Sequence, residues 1–235
     1  MVIHGEWSGQ RLTISDKPGC LTISLEKPLE TSVYSFDYAG RLWTAFDRGI
    51  SYRRGLDGKV VAKWELRNGS RDRRWLAPSE AEALEEQARC LAVELSRALR
   101  QGETGTIQPV PDRVLSGLGR AALYDRARAE EDITRYHQVY LPVGILPPDQ
   151  YMAVVLQLTE GCSFNTCTFC NFYRGTAFRI KTPSAFRAHI QQVKDFLGEA
   201  ISLRRTIFLG DANALVTPIK KLIPLLEVVR EQFDI

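Results

Sequence analysis

The sequence predicts an α/β chain in which a small antiparallel β-rich domain and one long helix precede parallel βα units. Three observations carry that expectation. Short β-rich runs alternate with turn signals from Ile3 to about Trp75. Leucine and alanine then recur at helical spacing from Leu84 to Leu99. After Tyr151, strand-like apolar runs alternate with helical patterns, the grammar of a parallel sheet or barrel.

Composition narrows the class first. The 235 residues are 44% hydrophobic and 25% charged, an ordinary globular balance that excludes a collagenous, low-complexity or wholly disordered chain. No apolar run approaches the roughly 18 residues of a membrane span. The opening MVIHGEWSG has neither the basic start nor the apolar stretch of a signal peptide, so the expected location is the cytoplasm, with no membrane partner. Thirty-one Lys and Arg against 28 Asp and Glu leave a net charge of +3, too small to indicate a nucleic-acid or membrane ligand by itself.

Residues 1–76 read as the β-rich domain. LTISL (Leu21–Leu25), SVYSF (Ser32–Phe36) and RLWTAF (Arg41–Phe46) are its clearest strands, and turn signals such as Tyr38-Ala39-Gly40, Asp47-Arg48-Gly49 and Asp57-Gly58 punctuate the β-rich runs. The second half of this domain is basic, with Arg53, Lys63, Arg71, Arg73 and Arg74 among Tyr52, Trp64 and Trp75. A solvated surface is the plainer reading; an RNA-binding face is the other, diluted by Asp37, Asp47, Asp57, Glu65 and Asp72.

Residues 77–149 read as a helical region and linker. A capping box at Ser79 with Glu82 opens the long helix, and Cys90 falls near its apolar stripe as a small buried hydrophobe. The Gly, Thr and Pro of residues 102–111 read as a linker. A polar helical stretch from about Val114 to Gln138 and the segment Leu141–Pro148 lead into residues 150–235. There MAVVLQL (Met152–Leu158) is a buried strand, and Thr182-Pro183 opens a helix striped by Phe186, Ile190, Val193 and Leu197. TIFL (Thr206–Leu209) is a second strand, and a second helix begins near Thr217-Pro218, with Pro224 expected to kink or delay it.

Five cysteines are present, and three of them, Cys162, Cys167 and Cys170, crowd into nine residues directly after the first of these strands. An odd, clustered set in a reducing compartment points to metal or redox chemistry rather than disulfides. Structural zinc wants four protein ligands, and His189, nineteen residues beyond Cys170 in an expected helix, is a poor fourth. An iron–sulfur cluster held by three thiolates leaves one iron open to a small molecule. Iron–sulfur is therefore the favoured reading, with zinc and unligated core cysteines behind it.

A βα strand ending in a three-cysteine loop, with an aromatic directly before the last cysteine, resembles the radical S-adenosylmethionine (radical SAM) enzymes. The resemblance implies that residues 150–235 form the first units of a partial (β/α) barrel, completed by a longer chain or by a partner. It implies a [4Fe–4S] cluster on Cys162, Cys167 and Cys170, SAM on the open iron and Phe169 beside the adenine. Four residues separate Cys162 from Cys167 where the family usually has three, which departs from its loop geometry. Gly210-Asp211, after the second strand, matches the family's segment for the SAM amino group, although alone it reads as a polar turn. Asn171, Tyr173 and Arg174 either border the same pocket or sit in an exposed loop. The implied activity is reductive cleavage of SAM to methionine and a 5′-deoxyadenosyl radical, fed by a small flavodoxin- or ferredoxin-type electron donor and acting on a substrate the sequence does not identify. The alternative is a zinc- or cluster-stabilised RNA-binding module without catalysis.

Overall fold

The computed structural model describes residues 1–143, 146–147 and 150–234. Gly144, Ile145, Pro148 and Asp149, part of the segment expected to lead into the C-terminal half, lie outside the described residues, as does Ile235. Contacts divide the chain into two units, Met1–Thr134 and Arg135–Ile235.

The first unit is an eight-stranded antiparallel meander: β1 (Val2–Trp7), β2 (Gln10–Lys17), β3 (Cys20–Lys27), β4 (Glu30–Asp37), β5 (Leu42–Asp47), β6 (Ile50–Arg54), β7 (Val60–Glu65) and β8 (Arg71–Trp75), in spatial order as in the chain. Two-residue loops make most of these hairpins. Ser8-Gly9 and Arg48-Gly49 both carry positive φ at both positions (51° and 70°, 49° and 77°), the backbone that matches strand twist in tight hairpins. Alternation then sorts side chains by face. Ile3, Ile14, Ile23, Tyr34, Ala45, Tyr52 and Ala62 stand opposite one another from β1 to β7 and form one row of the core.

Helix α1 (Pro78–Gln101) covers that row with Leu84, Ala88, Ala92 and Leu95. Its 24 residues rise about 36 Å, and eight strands at their usual spacing are about 34 Å wide, so the helix matches the width of the sheet. Its polar contacts follow the same path. Glu80 meets Arg74 on β8 at 2.6 Å, Glu85 meets Arg54 on β6 at 2.6 Å, and Gln87 donates to the Tyr34 hydroxyl on β4 at 2.7 Å. Beyond its Gly102 cap, the amides of Gly105 and Ile107 donate to the carbonyls of Glu6 and His4 on β1, both at 2.9 Å. The stretch read as a linker is thus a strap along the first edge strand. Gly5 has no alternative there, because a Cβ would stand 2.8 Å from the Gly105 carbonyl oxygen. Helix α2 (Asp112–Ala122) adds Val114, Leu118 and Ala121 to the core. The single polar helix expected over 114–138 is instead α2 and α3 (Arg126–Val139).

Two local expectations are corrected. Helix α1 starts at Pro78, so Ala77 is its N-cap, and Glu80 rather than Glu82 reaches back to accept from the Ala77 amide at 2.8 Å. Proline's fixed φ suits the first helical position and moves the start ahead of Ser79. Cys90 is exposed, not buried, and its thiol donates to Glu86 one turn earlier at 3.3 Å.

In the second unit β9 (Ala153–Gln157) pairs in parallel with β12 (Thr206–Gly210), from Ala153 opposite Thr206 to Gln157 opposite Gly210. Helix α4 (Pro183–Leu197) begins as its sequence indicates: Thr182 Oγ1 accepts from the Ala185 amide at 3.2 Å. Phe186, Ile190, Val193 and Leu197 are all buried, against β9 and α5 (Ile219–Gln232). Pro224 neither ends nor delays α5, which runs through it.

The expected fold class is overturned. An antiparallel eight-stranded sheet dominates the N-terminal half, and no closed barrel exists among the described residues, so this is not a (β/α) barrel and the radical-SAM-type partial barrel does not describe it. The parallel sheet contains two strands, and the short β10 (Thr159–Glu160) and β11 (Arg179–Ile180) form a separate antiparallel ladder. Two strands lack the number and shear to close on themselves. A local βα alternation looks the same in an open pair and in a barrel, and that is why the sequence pattern overreached.

Candidate metal centre

Residues Gly161 to Phe178 form one excursion between the carboxyl end of β9 and the start of α4. Its neck is closed by the β10–β11 ladder, where Thr159 stands opposite Ile180 and Glu160 opposite Arg179. Lys181 fastens the neck again, its Nζ 2.8 Å from Glu160 Oε1 and its amide donating to the Leu158 carbonyl at 3.1 Å. Gly161 turns the chain into the loop at φ 68°, and a Cβ there would lie 2.8 Å from the Thr176 carbonyl oxygen.

Inside the loop a line of hydrogen bonds runs from the first cysteine to the second strand. The Asn165 amide donates to Cys162 Sγ at 3.5 Å, and Asn165 Nδ2 donates to the Tyr173 carbonyl at 3.0 Å. Tyr173 is buried, and its hydroxyl donates to Asp211 Oδ1 at 2.7 Å. The Asp211 amide in turn donates to Thr159 Oγ1 at 3.0 Å. Asp211 and Gly210 are both buried at the carboxyl end of β12, beside the carboxyl end of β9. Burial raises the Asp211 carboxyl above the ordinary carboxylate range, against hydrogen bonds from Tyr173 and the Gly161 amide that lower it.

The residues singled out in the sequence divide into two groups. Asp211 and Tyr173 are linked to Cys162 through this line, and Gly210, directly before Asp211, accepts from the Leu158 amide at 2.7 Å. Phe169 is 91% exposed, Asn171 is exposed, and exposed Arg174 donates to the Cys167 carbonyl at 3.3 Å rather than entering a pocket. Cys162, Cys167 and Cys170 are free and half-buried. Among the described residues no three His, Cys, Asp or Glu side chains converge as a metal-holding group, so the three sulfurs share the loop without being drawn together. Their donor chemistry nevertheless fits an iron–sulfur cluster, since three soft thiols are what such a group binds. His189 does not complete a zinc set. Its Nε2 accepts from the Gln157 amide at 3.0 Å inside the core, and burial holds the imidazole down at about 4.

Thr159 and His189 are the site neighbours that sequence reading did not assign to the site. Thr159 is fully buried at the end of an apolar strand, and a hydroxyl placed there has to find a partner. That requirement was the available signal.

No family model matches the chain, and comparison with curated proteins and with solved structures gives no match.

Proposed function

We propose that this chain is an iron–sulfur protein of the radical SAM type, with Cys162, Cys167 and Cys170 as cluster ligands and the carboxyl ends of β9 and β12 as the SAM site. One observation carries the reading: Tyr173, on the cysteine loop, donates to Asp211, the acidic residue after the second strand, at 2.7 Å. The two sequence features that resemble the family are therefore neighbours. Ligands of parallel α/β units gather at the carboxyl ends of the strands, where these residues lie.

A cluster bound to the three thiolates would supply one-electron reduction of the SAM sulfonium. The chain's own residues supply position. Asp211 offers a desolvated carboxylate to an ammonium group, Tyr173 holds its Oδ1, and Thr159 anchors its amide. The hydrogen bonds along the loop tie the position of Cys162 to that of Asp211. A small flavodoxin- or ferredoxin-type donor in a reducing cytoplasm belongs to the same reading. Among the described residues, the helices add only that none is long and apolar enough to cross a membrane.

The test is anaerobic reconstitution of the full chain with iron and sulfide. Cluster binding is expected to disappear when Cys162, Cys167 or Cys170 becomes Ala and to persist in Cys20→Ala and Cys90→Ala. SAM is expected to change the electron paramagnetic resonance spectrum of the reduced cluster, and Asp211→Ala to weaken that change without removing iron. Zinc in place of iron, or a spectrum indifferent to saturating SAM, would overturn the proposal.

A further inference from the structure

The outer face of the meander, turned away from α1, separates charges that are mixed in the sequence. Strand alternation places Lys63 opposite Arg73, Val61 opposite both Arg53 and Trp75, Glu65 opposite Arg71, and Phe46 opposite Ser51 on this face. The acidic residues that dilute the basic run lie elsewhere. Asp37 is buried beside Arg41, Asp57 pairs with Lys59 in a turn at 3.0 Å, and Asp72 stands opposite Trp64 on the α1 side. Asp47 accepts from Ser32 at 2.6 Å on that same inner side. Glu65 alone remains among the outward side chains of β6 to β8.

Two features of this patch need an account. Lys63 and Arg73 are both exposed and stand directly across the β7–β8 ladder from one another, a like-charge pair that costs stability when nothing lies between. Trp75 is 65% exposed at the end of β8, in line with Val61 and Arg53, and Phe46 lies exposed two strands away from Lys63. Cations that repel one another are relieved by a shared polyanion, and flat aromatics on a sheet are stacking platforms for unpaired bases. An acidic protein would use the cations but leave the aromatic faces idle.

We propose that the outer face of β5 to β8 binds single-stranded nucleic acid, with Lys63, Arg73 and Arg53 on phosphates and Trp75 and Phe46 stacking on bases. This surface lies wholly in the first unit and stands whether or not the loop of the second unit holds a cluster.

The experiment is fluorescence anisotropy of the full chain with a labelled RNA of mixed sequence, about 12 nucleotides long, in about 50 mM salt, and with labelled heparin as a base-free polyanion. The double variant Lys63→Glu, Arg73→Glu is expected to lower RNA affinity at least about tenfold and to flatten its salt dependence by more than one unit of slope. Arg97→Glu with Arg100→Glu, an equal charge change on exposed positions of α1, is expected to change it less than about twofold. Trp75→Ala should weaken RNA about fivefold and heparin not at all. The single variant Lys63→Glu creates an opposite-charge pair with Arg73 and should melt no lower than the parent, so that lost binding is not lost folding. Absence of RNA binding, binding indifferent to the double variant, or heparin binding as sensitive to Trp75 as RNA binding would each overturn the proposal.

Discussion

In the first unit the buried charges answer one another. Arg41 sits between Asp37 at 3.2 Å and Asp132 at 2.7 Å, and Arg54 reaches Glu85 at 2.6 Å. They join loops and helices to the sheet and leave the core row itself without a charged side chain. The second unit buries polar groups of another kind: Gln157, Thr159, His189 and Asp211 cluster around the last residues of two parallel strands. Here the carboxylate accepts from a phenol and from one backbone amide instead of forming a direct ion pair. The contrast separates polar burial that fastens a fold from polar burial that leaves a carboxylate with capacity for a further partner. It also explains why the chemistry is assigned to the second unit although the first has the larger core.

Truncating the apolar core is the strongest way to probe the division. Phe36 is almost wholly buried in β4 among the core residues, so Phe36→Ala should destabilise the first unit by about 4 kcal/mol. Amide exchange should show protection lost across β2 to β5 and retained in β9; equal loss in both would break the division into units.

The next effect belongs to the second unit alone. His189 takes a proton near 6.5 when unfolded and near 4 when folded, because burial disfavours the imidazolium and Nε2 is engaged as an acceptor. Between those values the unfolded chain binds more protons, so stability falls as the pH is lowered through that window, by about 3 kcal/mol in all. Urea melts between pH 7 and pH 5 should show this slope in the parent and a flatter one in His189→Gln; identical slopes would remove the imidazole from the account.

A smaller change sharpens the reading of the site. Tyr173→Phe keeps the ring and deletes the donor to Asp211, which should cost about 1 to 2 kcal/mol and raise the carboxyl's pKa further. Carbon-detected NMR titration of Asp211 in parent and variant measures the shift, and an unchanged titration would mean that the 2.7 Å contact does not hold the carboxylate.

The legible parts of this molecule are those with short-range causes. Hairpins with two-residue loops and alternating side chains announce themselves, as LTISL within β3 does, and so do the Thr182 cap and the stripe of α4. Strand β8, RDRRW, has no apolar alternation because both its faces are exposed at the sheet edge, so its pairing rests on the turn and on β7. Residues 105–107 pair with a strand some hundred positions earlier, and nothing local signals that contact. At the site, cysteine spacing was readable, whereas the Tyr173–Asp211 bond spans 38 residues and appears only once the loop folds back onto the strands. The barrel expectation failed for the same reason: closure depends on strand number and shear, which no single βα unit encodes.

The strap on β1 gives the first unit an order of assembly. Each hairpin closes between neighbours, at small entropic cost, while the bonds from Gly105 to Glu6 and from Ile107 to His4 join distant stretches of chain. Once α1 lies across the sheet, the remaining loop is only the few residues after Gly102, and closure becomes cheap. Until then β1 keeps its backbone donors and acceptors open to any passing strand. The interval in which a nascent chain is vulnerable to self-association therefore ends with docking of the helix and not with completion of the sheet.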